Sequence, residues 1–234
     1  EKINLEFVSA NPTGPLHAGG ARWAVIGDVI ARLFESQEAE VHREYLLNDA
    51  GAQMNLFCSS LMARYRGEEP PEDGYQGQYV IDMADQMRAE LGESVIDDQA
   101  FEWGYKFVVD EVRGDLARVG VEFDTWFSER EMTAHGEVAA VLKVLAASGK
   151  SYEKEGAVWL RTEEVGDQRD RVLVKSDGSN TYYASDLAYH RDKFGRGWTH
   201  LINIWGADHH GQVRSLQLGL ELLGYPAGEP EVIL

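Results

Sequence analysis

Apolar and polar positions alternate along this chain with two different periods, and together they lay out an α/β fold. Ile3 to Ser9 is rich in β-formers and predicts a strand; Glu40 to Leu47 predicts a second. Between them the pairs Val25/Ile26, Val29/Ile30 and Leu33/Phe34 recur at helical spacing, which predicts a helix over Ala21 to Glu35 with one buried stripe. Strand, helix and strand in this order read as a right-handed parallel crossover. Helical patterns follow over Ala52 to Arg66, Gln78 to Leu91 and Gln99 to Val119, with a Gly/Pro-rich loop from Gly67 to Gly74. Val121 to Trp126 reads as a strand returning to the sheet, and Thr133 to Ser148 as the helix after it. Ala157 to Arg161 and Arg171 to Lys175 alternate as strands do. The rest predicts a helix over Asp186 to Lys193, a strand over Thr199 to Trp205, a helix over Gln212 to Leu223 and a short strand at Glu231 to Leu234.

This order predicts a doubly wound parallel sheet interrupted twice. Residues 1–51 form the first half of a nucleotide-binding domain and 52–120 a helical insertion. Residues 121–150 return to the domain, 151–181 form a β-rich insertion, and 182–234 are the second half. No repeat of solenoid period is present.

Composition narrows the class. Hydrophobic content of 44% and charged content of 26% are those of a globular protein. The single cysteine, Cys58, excludes an internal disulfide and fits a reducing, cytoplasmic location. No apolar run approaches the ~18 residues of a membrane helix, and no signal peptide opens the chain. Without an initiator Met, and with a strand-like last segment, the sequence is expected to be an excised core. A net charge of −18 with no basic stripe repels a polyanion, so any grip on nucleic acid is expected from segments outside this chain.

The densest candidate chemistry is Pro12-Thr13-Gly14-Pro15-Leu16-His17-Ala18-Gly19-Gly20-Ala21-Arg22. It joins the first strand to the first helix by a tight turn and sets His17 before a helix N-terminus, where free N–H groups favour an anion. On its own the segment also fits an ordinary loop with a solvated His. A second cluster, Gly206-Ala207-Asp208-His209-His210, ends a strand and opens a helix. A carboxylate at a strand end can accept bonds from ribose hydroxyls. Adjacent His residues diverge and no third ligand is evident, so no metal site is expected.

With its flanks the turn resembles class I aminoacyl-tRNA synthetases, and among them the arginyl enzymes. Glu6-Phe7-Val8-Ser9-Ala10-Asn11-Pro12 and the turn are similar to that family's lead-in to its His-Ile-Gly-His signature. Leu47-Asn48-Asp49-Ala50-Gly51-Ala52-Gln53, Lys175-Ser176-Asp177-Gly178, Tyr182 to His190 and Trp205 to Gly211 resemble its further blocks, in the family's order. The resemblance implies an enzyme that activates arginine with ATP, carried as its Mg²⁺ complex, and loads it on tRNA. The family's N-terminal domain, Lys-Met-Ser-Lys-type loop and helical anticodon-binding domain have no counterpart here. The chain is therefore expected to be incomplete for catalysis and to leave most of the tRNA contact to those parts.

The resemblance also implies roles. His17, Gly19 and Gly20 would serve catalysis and ATP; Gly206, Asp208 and His210 the adenosine end of ATP. Ser9, Asn11, His17, Glu129, Tyr182 and Asp186 would hold arginine. A guanidinium is planar, always charged and best held by a carboxylate. Asp186 lies four residues after Tyr182, so both face one way if a helical turn begins there. Capping of a helix by Asp186 or Ser185 is the competing reading. The sequence departs from the signature at Gly20, where a second His is usual. Gly20 offers no side chain to the phosphates, while its backbone N–H is expected to remain available. Competing functions are a nucleotidyltransferase of the same superfamily acting on a small molecule, a non-catalytic synthetase-like binding module, and a ligase for another amino acid.

Overall fold

Strand β1 (Lys2–Glu6) is buried on both faces, and this sets the layering around it in the computed structural model, which describes residues 1–234. Ile3 and Leu5 have no accessible surface, and neither does Asn4. A strand covered on both sides belongs in the middle of a parallel sheet. β1 pairs in parallel with β2 (Glu40–Leu47) on one side and with β7 (His200–Ile204) on the other. With β3 (Thr125–Ser128) and β8 (Glu231–Ile233) at the edges, the order is β3-β2-β1-β7-β8. The winding reverses between β1 and β7, the place where doubly wound sheets bind ligands at strand carboxyl ends.

The chain divides into two compact units. One comprises Glu1–Val8, Val25–Leu46 and Phe123–Leu234 and holds this sheet. The other comprises Ser9–Ala24 and Leu47–Glu122. The second unit contains the signature turn and three helices, α2 (Ala52–Tyr65), α3 (Gln78–Leu91) and α4 (Asp97–Arg118). Phe57, Leu61, Met87 and Leu116 are buried there. No helix is long and apolar enough to cross a membrane.

Several elements differ from their sequence patterns for local reasons. β1 stops at Glu6 because Val8 and Ser9 take positive φ values of 70° and 31°. For a β-branched valine this is strained backbone of the kind that gathers at functional sites. Helix α1 (Ala18–Glu35) begins three residues before its apolar pattern, at the residue after His17. Its packing face is not the stripe of large residues. Val25, Val29 and Leu33 are exposed at 54%, 49% and 61%, while Ala24 and Ala31 are fully buried. Gly27 explains the inversion: a Cβ there would lie 2.3 Å from the ring of Phe7. Small residues let the helix approach the sheet; Val25, Val29 and Leu33 are left outside, with Ile26, Ile30 and Phe34 half-buried. Gly27→Ala is expected to cost about 1–3 kcal/mol through this clash; a urea titration showing no loss would mean that Phe7 turns aside freely.

The helix expected over Thr133 to Ser148 is two helices, α5 (Glu129–Ala134) and α6 (Glu137–Ala147), broken at Gly136 with φ 80°. The β-rich segment has one strand more than its alternation shows: β4 (Ser151–Lys154), β5 (Ala157–Leu160) and β6 (Arg171–Val174) form an antiparallel sheet. Glu155 and Gly156, both at positive φ, close the β4–β5 hairpin as a two-residue turn of the primed type. The closing segment gives α7 (Tyr182–Gly195) and α8 (His210–Leu222). Leu187, Ala188 and Leu220 pack between them with Val141 and Leu145 of α6.

The carboxyl end of α7 is tied to the sheet by a buried acid. Arg196 donates two bonds to Glu44 of β2, at 2.6 and 2.9 Å, and Asn4 donates a third at 2.9 Å. Burial alone would push the Glu44 carboxyl up. The bonds from Arg196 and the charges of Lys193 and Arg196 outweigh it and bring the pKa down to about 2. The stabilisation is complete above the unfolded value of about 4.5 and is lost as pH falls toward 2. Glu44 is thus expected to contribute about 2–3 kcal/mol to acid resistance. Stability measured between pH 5 and 2 should fall less steeply in Glu44→Gln; an unchanged slope would remove Glu44 from this role.

Candidate active site

The signature turn is held inside its own unit by backbone and by one tyrosine. Ala10 forms a parallel bridge with Leu47, and the Asn11 amide donates to the Asn48 carbonyl at 2.8 Å. This leaves the Asn11 side-chain oxygen as an acceptor. Tyr79 of α3 donates to the Thr13 carbonyl at 2.9 Å, and its ring covers Gly14, where a Cβ would come within 3.0 Å. Nothing in the sequence marks Tyr79 as a support of this turn, because the two segments are distant in the chain.

His17 occupies the cap position of α1. Its Nδ1 accepts the backbone N–H of Gly20 at 3.1 Å, and its ring meets Trp23 edge-on. An Nδ1 that accepts must be unprotonated, so the neutral ring carries its proton on Nε2, free to donate. The expectation that the Gly20 N–H remains available is corrected by this bond: it is spent on His17. The first helical N–H groups, of Ala18 and Gly19, have no acceptor within a helix. At Gly19 a Cβ would stand 2.9 Å from the His17 ring, so a side chain there would displace the imidazole.

The first unit carries a cavity of about 510 Å³ walled by α7, α8 and the small sheet. Trp159, Arg171, Thr181, Tyr182, Asp186 and Gln212 are among its lining residues. Tyr182 and Asp186 therefore do share one space. Neither Asp186 nor Ser185 caps the helix: α7 starts at Tyr182, and the Thr181 hydroxyl accepts the Ala184 N–H. The wall has two acids. Asp170 is taken up by the Tyr152 hydroxyl at 2.8 Å and the Glu163 N–H at 3.0 Å. The Asp186 carboxyl makes no hydrogen bond within the chain. Burial, then the charges of Glu6 and Glu129, raise its pKa to about 7, against a smaller lowering by Lys193. Glu129, the first residue of α5, thus acts on Asp186 through its charge.

The remaining named residues lie elsewhere. Gly206 precedes a short 3₁₀ turn over Ala207–His209 that leads from β7 into α8. Asp208 is 81% exposed, with His209 at 3.6 Å. The His210 ring bonds the Ala207 carbonyl at 3.1 Å. None of Gly206, Asp208 and His210 lines the cavity of Asp186. No group of three or more His, Cys, Asp or Glu side chains gathers as metal ligands do.

Sequence reasoning missed a buried polar chain beneath Asp186. The signal was the spacing of Asp186, His190 and Lys193, which share one face of a helix. His190 Nδ1–H donates to the Asp186 carbonyl at 2.7 Å, and His190 Nε2 accepts from the Asn203 amide at 2.7 Å. Lys193 Nζ donates to Asn203 Oδ1 at 3.2 Å and to Glu6 Oε2 at 2.6 Å. Burial, then the Lys193 charge, lowers the His190 pKa to about 3, so the ring is neutral.

Known proteins match this arrangement of fold and motifs. A family model described as tRNA synthetases class I (R), catalytic domain, matches residues 1–200. The chain belongs to this family. An arginine–tRNA ligase of Oceanobacillus iheyensis is 44% identical over 244 residues, covering 99% of this chain and 44% of that protein. The corresponding ligase of Aquifex aeolicus is 41% identical, covering 100% of this chain and 48% of its own length. The chain spans about half the length of the curated relatives it matches. A solved Campylobacter jejuni chain of arginyl-tRNA synthetase type superposes with a TM-score of 0.92 at 36% identity, over 100% of this chain and 54% of its own. A Thermus thermophilus arginyl-tRNA synthetase, at 20% identity and a TM-score of 0.70, shares the fold.

Proposed function

We propose that the intact protein is an arginine–tRNA ligase that activates arginine with ATP to arginyl-adenylate and transfers the arginyl group to tRNA. One observation carries the choice of amino acid: Asp186 is the cavity's acid without a partner, in a wall shared with Tyr182. An apolar substrate would leave that charge unpaired, and a guanidinium answers it. Glu129 adds negative potential, and Ser9 and Asn11 take the substrate's α-amino and carboxyl groups. The arginine carboxylate attacks the α-phosphorus of ATP in line, and pyrophosphate leaves. His17 donates from Nε2 to a phosphate oxygen, while Gly19 and Gly20 keep the helix entrance free of side chains. Gly206, Asp208 and His210 receive the adenosine end, with Asp208 accepting from the ribose hydroxyls. Mg²⁺ comes with ATP as part of the substrate. The tRNA is gripped mainly by parts outside this acidic chain, and the protein works in the cytoplasm.

Arginine-dependent ATP–pyrophosphate exchange by the intact protein, with tRNA present, tests the reading. Exchange that another amino acid supports equally, or that needs none, would sink it. His17→Asn sharpens the assignment, because asparagine caps a helix but lacks the ring donor. Its exchange rate is expected to fall roughly 100-fold with arginine affinity unchanged. An equal loss of both would make His17 a ground-state contact.

A further inference from the structure

A helix lying on a sheet ordinarily turns apolar side chains inward, yet α7 sends His190 and Lys193 to β7 and β1, with Asp186 on the same face. Lys193 has no accessible surface, and Glu6, its partner, only 2%. Burying such a pair is seldom the most stable choice, since apolar side chains of similar size often do as well or better. The bonds run in one direction without a gap: Lys193 to Glu6 and Asn203, Asn203 to His190, His190 to the Asp186 carbonyl. The Asp186 carboxyl, at the cavity end of the chain, is the group left unbonded.

We propose that the buried Glu6–Lys193 pair, linked through Asn203 and His190 to the backbone of Asp186, is a positioning element that sets the charge of that carboxylate. The proposal rests on the reading that Asp186 receives a guanidinium. The groups around Asp186 allow the assignment. β1 brings Glu6, α5 brings Glu129, and its own helix brings Lys193. Arg171 of β6 is held by Asp167 at 2.8 Å, and Glu137 of α6 by Arg191 at 3.1 Å. α8 brings the uncharged Gln212, Ser215 and Leu216. Tyr183 is kept neutral by burial. The β-rich segment also brings Asp170, closed by the Tyr152 hydroxyl, and Arg169, which lines the cavity; Lys193 is the cation that acts on Asp186 from beneath, and Glu6 tempers it.

The test is the pH dependence of arginine binding by the intact protein, measured by calorimetry between pH 5 and 9. The unmodified protein, Glu6→Gln/Lys193→Met and Glu6→Gln are compared. Binding should strengthen with rising pH in all three, with midpoints falling in that order. The step from unmodified protein to Glu6→Gln should be about one pH unit or more, and affinity at pH 9 should be retained. The double variant has no unpaired buried charge, so the comparison stands even if the single variant does not fold. Coincident midpoints, or affinity lost equally at every pH, would overturn the proposal. Carbon NMR of the ligand-free protein gives a second reading: an Asp186 carboxyl titrating near the ordinary value of about 4 would overturn it too. Absence of arginine binding at any pH would overturn the proposed function itself, whereas a flat pH profile with intact binding defeats the positioning role alone.

Discussion

Asp186→Asn is expected to stabilise the ligand-free protein while it weakens arginine binding. The two effects have one cause. In the fold the carboxyl titrates near 7; unfolded, near 3.8. Below the lower value both states are protonated and the group adds nothing. As pH rises between the two, the unfolded chain ionises first and the fold loses ground. Above 7 the penalty is constant, on the order of 2–4 kcal/mol. Asparagine removes it, so urea denaturation at pH 8 should show a gain of that order that vanishes near pH 3.5. The same change removes a charge-assisted bond to the guanidinium, worth about 1.5–3 kcal/mol, or roughly ten- to a hundred-fold in affinity. A site acid held at the expense of the fold is the expected trade between stability and activity. Arginine affinity unchanged in Asp186→Asn would remove the residue from the pocket. A loss of stability at pH 8 would show that the carboxylate is better accommodated than its surroundings indicate.

The second large effect concerns Lys193. Methionine fills nearly the same space, but it leaves the Glu6 carboxylate buried without its cation. The expected cost is about 3–5 kcal/mol, the usual result of breaking a buried pair from one side. Lys193 also lies 4.3 Å above the Tyr189 ring, and its charge helps to hold Glu44 ionised, so the loss spreads toward β2. Replacing Glu6 by glutamine in the same molecule should recover most of it, since a neutral pair no longer carries a stranded charge. Chemical denaturation of the single and double variants measures both numbers. A single variant that loses less than about 1 kcal/mol would mean that water reaches Glu6.

Much of the architecture was legible in the pattern of side chains. β2 and α3 fall where periodicity alone puts them, because both combine a clear repeat with sharp ends. The failures have identifiable physics. The α1 stripe was misread because period shows which residues share a face, not which face packs; Gly27 against Phe7 decided that. Gly136 cut one apolar run into two helices by adopting a left-handed backbone. β4 escaped notice because Ser151 to Lys154 are polar on both sides, and only the Glu155-Gly156 turn betrays them. Among the candidate residues, those with local signatures are His17 beside its glycines and Asp186 one turn from Tyr182. The residues that steady them have none. Tyr79 reaches the His17 turn, and Glu6 and Asn203 reach the helix of Asp186, from remote segments, and no spacing in the sequence announces either meeting.

The chain of bonds beneath Asp186 also has an insulator in it. Asn203 is an amide, which can give and take hydrogen bonds but does not pass a proton along. No relay can therefore run from Lys193 to His190, and the chain ends on the Asp186 carbonyl, not on its carboxyl, so this acid exchanges protons on its cavity side. A guanidinium seated there would shut that door behind it, leaving the acid in whatever state it held on arrival.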